Sequence, residues 1–250
     1  MPAGPDHYIG MMHLYAHETE GVHYDKEWTR NRWSYKSFKI DKKESEVFIM
    51  APHGGGIERG TTELALATAG FTTDFNRHPG TTQVYDYFTF NGTDPADENG
   101  RLHVTASNYD DPVALELVRN STVSLAFHGC SNTQPAESTG DDYEACLIGG
   151  LDIPFMTLLE WKLYDAGFRN ARITDQEMLN GDLPKNIINR NKRNVGVQVE
   201  LTRSFRKSLF NKFGAEERRT NTNDRFWLFV NTIRHAIEKY KTDIGIAGSL

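Results

Sequence analysis

The sequence predicts an α/β protein in which a single-domain, open, mixed and mostly parallel sheet is flanked by helices. After the first twenty or so residues, short apolar runs alternate with amphipathic segments, as expected when strands form a sheet covered by helices. Several of the apolar runs are continuous, which is typical of strands buried on both faces. The chain has 250 residues, of which 38% are hydrophobic and 25% charged, and this is the composition of one globular domain.

The first strand is predicted at residues 47–51, a continuous apolar run that ends at Pro52 and three glycines. A helix follows, which Thr61 or Thr62 can cap and Gly70 can end. The later elements keep the same alternation. Strands are predicted at 84–90, 102–105, 123–127, 145–148 and 195–202, and helices at 111–119, 154–167 and 226–240.

The first 22 residues have a weak pattern, so we divide the chain into an N-terminal segment, 1–22, and a main domain, 23–250. The chain has no apolar stretch of the roughly 20 residues that a membrane span needs, and its start lacks the features of a signal peptide. We therefore expect a cytoplasmic protein without a membrane partner. Cys130 and Cys146 fit a reducing compartment, although one bridge between them stays open.

Charge is unevenly distributed. The formal net charge is −6, yet residues 185–219 contain ten Lys or Arg against three acidic residues. This basic segment can attract an anionic substrate, or it can be a solvated face without a partner. A nucleic-acid partner is not expected, because the chain as a whole is acidic and has no recognised binding motif with interleaved aromatics.

A metal site is indicated where the first strand ends. His53 lies two residues past that strand, and Glu58 follows five residues later across three glycines. The glycines suggest a tight path of the main chain or its close approach to another group, for which a metal or a substrate is the natural candidate. His13 and Glu18 have the same spacing without a strand or glycines, so spacing alone carries no weight.

His128 and Glu200 also lie at predicted carboxyl ends of strands, where open α/β sheets bind their ligands. Two histidines and a carboxylate would leave zinc one open position for water, as in catalytic sites. Glu200 is then the candidate general base. Arg203 and Arg206 are candidates for gripping a substrate carboxylate or polarising the scissile carbonyl, with solvated arginines as the alternative.

Two further residues near these strands are given weaker roles. Cys130 stands two residues after His128, so a Cys-His nucleophile is conceivable, but we interpret Cys130 as an inert buried thiol. His103 is interpreted as a core or surface residue, although it lies late enough in a predicted strand to approach the pocket.

Together these residues resemble the zinc-dependent poly-gamma-glutamate hydrolases of bacteriophages and bacteria. That family is similar to zinc carboxypeptidases and N-acylglutamate amidohydrolases. The resemblance rests on residues 51–58 (APHGGGIE), 102–107 (LHVTAS), 111–112, 127–129, 148–150 and 196–201 (GVQVEL), in the order of the family. It implies one Zn²⁺ on His53, Glu58 and His128, with Glu200 as the catalytic carboxylate. The four residues between His53 and Glu58 favour this branch over the carboxypeptidases, which have a two-residue gap.

The functional hypothesis is a zinc-dependent hydrolase that cleaves gamma-glutamyl amide linkages, with poly-gamma-glutamate, an anionic polymer, as the expected substrate. If the protein is phage-encoded, lysis would release it from the cytoplasm. One alternative is an amidohydrolase of a small N-acylated amino acid with the same metal site. Another is a non-catalytic module that binds an anion at the glycine loop and the following helix N-terminus. The oligomeric state stays open.

Overall fold

The structure is a computed structural model that describes residues 6–30, 33–34, 45–72, 83–215 and 217–246. The strands are β1 Tyr24–Arg30, β2 Trp33–Ser34, β3 Val47–Gly55, β4 Asp86–Gly92, β5 Val123–Cys130, β6 Cys146–Gly150, β7 Ala171–Ile173 and β8 Val197–Thr202. The α-helices are α1 Met11–Tyr15, α2 Thr61–Ala69, α3 Pro112–Arg119, α4 Ile153–Asp165, α5 Arg203–Ser208 and α6 Asp224–Asp243.

All the strands just named belong to one open sheet, in the order β2-β1-β4-β3-β5-β8-β6-β7. The central strands β4, β3, β5 and β8 are parallel, whereas β1 pairs antiparallel with β4, and β6 pairs antiparallel with β8. The predicted single-domain, open, mixed and mostly parallel sheet is therefore confirmed. Its parallel centre brings the carboxyl ends of β3, β5 and β8 to one edge.

The two faces of the sheet pack against different helices, because successive side chains of a strand point to opposite sides. In β3, Ile49 packs into the core formed with α2, α4 and α6, whereas Phe48 and Met50 pack into the core formed with α1 and α3. This explains the continuous apolar run of β3, which is buried on both faces. The N-terminal segment contributes Met11 and Leu14 to the second core.

The predicted strand at 102–105 is wrong. Residues 99–102 form a 3₁₀ helix, and the segment that follows is irregular. Leu102 and Val104 are buried as the alternation indicated, but the backbone groups that a strand would pair are bound by side chains. The carbonyl of Val104 accepts from His53, and the N–H of Thr105 donates to Asp6.

The predicted cap of α2 is also wrong, since the helix is preceded by Gly60 with φ of 99° and no side-chain cap. The hydroxyl of Thr61 donates instead to the carbonyl of Glu58. Cys130 and Cys146 are buried free thiols. Across the part of the chain that the structure describes, no helix is long and apolar enough to cross a membrane.

Candidate metal centre

Three neighbouring parallel strands carry the predicted site residues to the same edge of the sheet. His53 lies in β3, His128 in β5 and Glu200 in β8, and His128 stands opposite Glu200 in the register of β5 and β8. Together with Glu58 they line a cavity of about 510 Å³. The structure thus brings these four residues together, although 147 positions separate His53 from Glu200 in the sequence.

The glycine loop returns the chain so that Glu58 faces His53, and the Glu58 N–H donates to the His53 carbonyl at 2.8 Å. Gly55 has φ of +63°, and a Cβ there would lie 2.4 Å from the backbone oxygen of Gly92. A Cβ on Gly54 would overlap two polar side chains of neighbouring elements. The glycines are therefore required by the tight path of the chain against the protein itself, which is one of the two alternatives that the sequence indicated.

The imidazole of His53 is fixed at both ring nitrogens. Its Nε2 lies 2.8 Å from the carbonyl oxygen of Val104, which can only accept, so Nε2 carries a hydrogen. Nδ1 lies 3.0 Å from Oε1 of Glu58, a contact that needs either a proton on Nδ1 or a cation bound by both atoms. The other oxygen of Glu58 accepts the N–H of Gly129 at 2.8 Å, which fixes the carboxylate in place.

The pKa values of His53 and Glu58 are both shifted by burial and by their contact with each other. Burial opposes ionisation of Glu58, but the charge and hydrogen bond of His53 outweigh it and lower the pKa of the carboxyl to about 2. Burial likewise opposes protonation of His53, yet the charge and hydrogen bond of Glu58 raise its pKa. An ionised carboxylate thus faces an imidazole nitrogen that needs a proton or another cation between them.

His128 is buried and neutral, because burial lowers its pKa to about 3. Its Nδ1 lies 3.8 Å from Oε2 of Glu58 and 4.0 Å from Oε1 of Glu200, both beyond hydrogen-bond distance. Its Nε2 is buried and has no hydrogen-bond partner among the described residues. The nitrogen that faces the two carboxylates is Nδ1, and a cation could be bound beside it.

His103 also belongs to the site, and the sequence interpretation as a core or surface residue missed it. Its Nδ1 donates to Oδ1 of Asp6 at 3.1 Å, and its Nε2 lies 3.8 Å from Oε1 of Glu58. Ligand atoms of His53, Glu58 and His103 all lie within 4.8 Å of one another. One feature of the sequence could have indicated this role. His103 lies between Leu102 and Val104, which are both buried in the core, so its own side chain points away from that core.

Glu200 lies in the same cavity as a buried carboxylate. Burial, together with the charge of Glu58, holds the pKa of Glu200 well above its usual value. The amide of Gln198 donates to Oε1 of Glu200 at 3.2 Å, and the Gln198 oxygen accepts from the Asn186 amide at 2.8 Å. Glu200 is therefore oriented, and its raised pKa makes it a better proton acceptor than an ordinary exposed carboxylate.

The two predicted substrate-binding arginines do not line the cavity. Arg203 is exposed at the first position of α5. Arg206 is buried, and its guanidinium donates to the backbone carbonyls of Leu201, Arg59 and Cys130. The prediction for Arg206 is corrected on this point, because all three of its nitrogens are engaged by the protein.

A buried cluster of histidines and carboxylates in a cavity, at the carboxyl ends of parallel strands, has the composition and position of the metal sites of hydrolases. The sequence model of the poly-gamma-glutamate hydrolase family matches residues 10–232. The chain belongs to this family and is an enzyme, and the resemblance found in its motifs is confirmed. The interpretation as a non-catalytic anion-binding module is set aside by this membership.

Individual relatives agree with the family assignment. The UPF0714 protein YndL of Bacillus subtilis (strain 168) is 29% identical over 86% of this chain and 77% of its own length. The UPF0714 protein YmaC of the same strain is 29% identical over 80% of this chain and 75% of its own length.

Two solved structures share the fold. Zinc-free, apo YndL has a TM-score of 0.77 and 26% identity, covering 94% of this chain and 99% of the other. A bacteriophage poly-gamma-glutamate hydrolase has a TM-score of 0.76 and 28% identity, covering 95% of this chain and 99% of the other.

Proposed function

We propose that the protein hydrolyses the gamma-glutamyl amide links of poly-gamma-glutamate with one zinc ion held by His53, Glu58 and His128. The observation that carries this proposal is the buried pairing of His53 Nδ1 with Glu58 Oε1 at 3.0 Å, next to the neutral ring of His128. A metal cation bound by both groups would take the place of the proton that otherwise joins them. The zinc-free form of the similar YndL structure supports zinc as that cation.

The donor set fits zinc. Two imidazole nitrogens and one carboxylate oxygen form the three-ligand set of catalytic zinc sites, which leaves one position for water. The Val104 carbonyl bound to Nε2 of His53 is the kind of outer contact that orients a ligating imidazole. Glu58 is likewise held by the Gly129 N–H, so both groups are preorganised.

Either His103 or His128 could be the third zinc ligand beside His53 and Glu58. His103 lies closer to the His53 and Glu58 pair, but it has Asp6 as a partner and is 31% exposed on the cavity side. His128 is only 5% exposed, is neutral, and has no hydrogen-bond partner for Nε2 among the described residues. Because Nδ1 of His128 faces both Glu58 and Glu200 and the ring is neutral, as a metal ligand must be, we assign the third ligand to His128. His103 then faces the substrate side.

When bound, zinc supplies the activation of a water molecule and the polarisation of the scissile carbonyl. Glu200 takes the proton that the attacking water loses and returns it to the nitrogen of the departing amine. Its raised pKa suits both halves of this transfer, since the carboxyl can hold the proton between the two steps. Gln198 keeps Glu200 oriented while the proton moves.

The cavity lining has four carboxylates, Asp6, Glu58, Glu177 and Glu200, against one arginine, Arg101, so an anionic substrate needs further positive charge outside the cavity. Within the basic segment 185–219, four cations pair with carboxylates, namely Lys192, Arg193, Lys212 and Arg218. Lys185, Arg203 and Lys207 are exposed. We propose that these three side chains recruit the polymer by long-range attraction.

The decisive experiment measures zinc content and poly-gamma-glutamate cleavage side by side for wild type, His53→Ala, His128→Ala and His103→Ala. We expect one zinc per chain in the wild type, loss of zinc in the first two variants and retention in His103→Ala. A wild-type protein that neither binds zinc nor gains activity when zinc is added would refute the proposal. A small N-acylated amino acid assayed in parallel tests the alternative substrate class.

A further inference from the structure

Arg206 connects three separate parts of the chain through one guanidinium group. Its Nε donates to the carbonyl of Leu201 at 3.1 Å, its Nη1 to that of Arg59 at 2.7 Å, and its Nη2 to that of Cys130 at 3.1 Å. The side chain is 6% exposed. These are charge-assisted bonds within the protein interior, where they are stronger than bonds between neutral groups.

The three acceptors have a common relation to the site. Arg59 directly follows Glu58, Leu201 directly follows Glu200, and Cys130 lies two residues after His128. One cation therefore holds the backbone beside each of these site residues. Two of the segments are ends of neighbouring strands, but Glu58 lies in the loop after β3, where no strand pairing fixes it.

The surrounding residues accommodate this group specifically. A Cβ on Gly129 would lie 2.5 Å from Cζ of Arg206, so the chain beside His128 approaches the guanidinium too closely for any side chain. Thr202, the last residue of β8, caps the N-terminus of α5, so the helix that carries Arg206 begins directly at the end of the strand that carries Glu200. Only a planar group with donors pointing in several directions can reach three such carbonyls together.

We propose that Arg206 is a positioning residue that sets the relative placement of the Glu58, His128 and Glu200 segments, and thereby the affinity and geometry of the metal site. The inference rests on the proposed zinc site. It replaces the expectation that Arg206 grips the substrate, and it assigns to this residue a role that acts through the backbone and not through contact with the reacting atoms.

The test compares Arg206→Met and Arg206→Lys with wild type. Arg234→Met is the matched control, because Arg234 also donates to two backbone carbonyls, those of Thr68 and Gln83, away from the cavity. Each protein is assayed for zinc affinity by chelator competition, for kcat and KM on poly-gamma-glutamate, and for thermal stability. The visible spectrum of the Co²⁺-substituted protein reports the metal geometry directly.

We expect Arg206→Met to weaken zinc binding about 10- to 100-fold, the range found when groups that orient metal ligands are removed. The kcat should fall by a similar factor, with KM within about twofold of wild type and an altered Co²⁺ spectrum. Arg206→Lys should show the same changes in smaller degree, because an ammonium cannot span three carbonyls. Arg234→Met should lose stability alone.

Wild-type zinc affinity, Co²⁺ spectrum and kcat in Arg206→Lys and Arg206→Met would overturn the inference. A rise in KM alone would also overturn it, because it would return Arg206 to substrate binding. If Arg206→Met does not fold, the Co²⁺ spectrum and zinc affinity of Arg206→Lys decide. Absence of zinc binding and cleavage in the wild type would instead refute the proposed function, on which the inference depends.

Discussion

Nδ1 of His53 lies 3.0 Å from Oε1 of Glu58, while Nε2 of the same ring donates to the Val104 carbonyl. The glycine loop between the two residues makes this approach possible, because it folds Glu58 back over the end of β3. The ionised carboxylate and the imidazole lone pair repel each other unless a proton or a metal ion lies between them. The geometry thus couples metal binding to the stability of the folded chain.

Zinc should raise the melting temperature of the wild-type protein. At free zinc about 100-fold above its dissociation constant, binding to the folded state alone contributes about 2.7 kcal/mol. For a chain of this size that corresponds to a shift of roughly 5 to 10 °C. Calorimetry with zinc and with a chelator measures the shift. His53→Ala should show almost none, and equal shifts in both proteins would contradict zinc binding at His53.

Glu200→Gln should lower kcat by roughly 10² to 10⁴, the usual contribution of a general base, while zinc content stays at the wild-type level. Glutamine keeps the size of the side chain but cannot take a proton. Glu177→Gln, which changes another carboxylate of the cavity lining, is the control and should keep wild-type kcat. Near-normal kcat in Glu200→Gln would remove Glu200 from the mechanism.

Asp6 should stabilise the fold in a pH-dependent manner. Burial opposes its ionisation, but hydrogen bonds from His103 and Thr105 lower its pKa from 3.8 to about 2. Because the folded pKa is the lower one, the contribution is complete above pH 3.8 and is lost as pH falls through about 2. Urea unfolding should show a lower free energy of unfolding for Asp6→Asn than for wild type near neutral pH, and this difference should shrink as the pH falls from 3.8 to about 2. A difference that is unchanged at pH values near 2 would contradict a stabilising role of the ionised Asp6 carboxylate.

The KM for poly-gamma-glutamate should rise with ionic strength. Salt screens exposed charges beyond about 10 Å at 0.1 M, so recruitment by Lys185 and Lys207 weakens as salt is added. The double variant Lys185→Met, Lys207→Met should start from a higher KM and respond less to salt. Steady-state kinetics from roughly 20 to 500 mM NaCl, over which the Debye length shrinks several-fold, measure the slope. Identical slopes in the two proteins would argue against recruitment by these lysines.

Local patterns in the sequence were sufficient for the strands that carry the site. β3, β5 and β8 each contain a run of regularly recurring apolar residues, which can be recognised without knowledge of distant parts of the chain. Parallel pairing of such runs brings their carboxyl ends together, and for this reason the sequence alone predicts that His53, His128 and Glu200 lie near one another. The same reasoning failed at 102–105, where side chains bind the backbone groups that a strand would pair.

The sequence by itself determined the fold class, the strand ends and the candidate metal-binding residues, because each leaves a local signal of apolar periodicity, glycine or spacing. Only the tertiary structure revealed the Asp6 contact of His103 and the three carbonyls bound by Arg206. Asp6 and His103 are 97 positions apart in the sequence, and Arg206 is 147 positions from Arg59. A hydrogen bond between residues so far apart in the sequence depends on how loops pack. The local sequence around either partner gives no indication of which residue the other is.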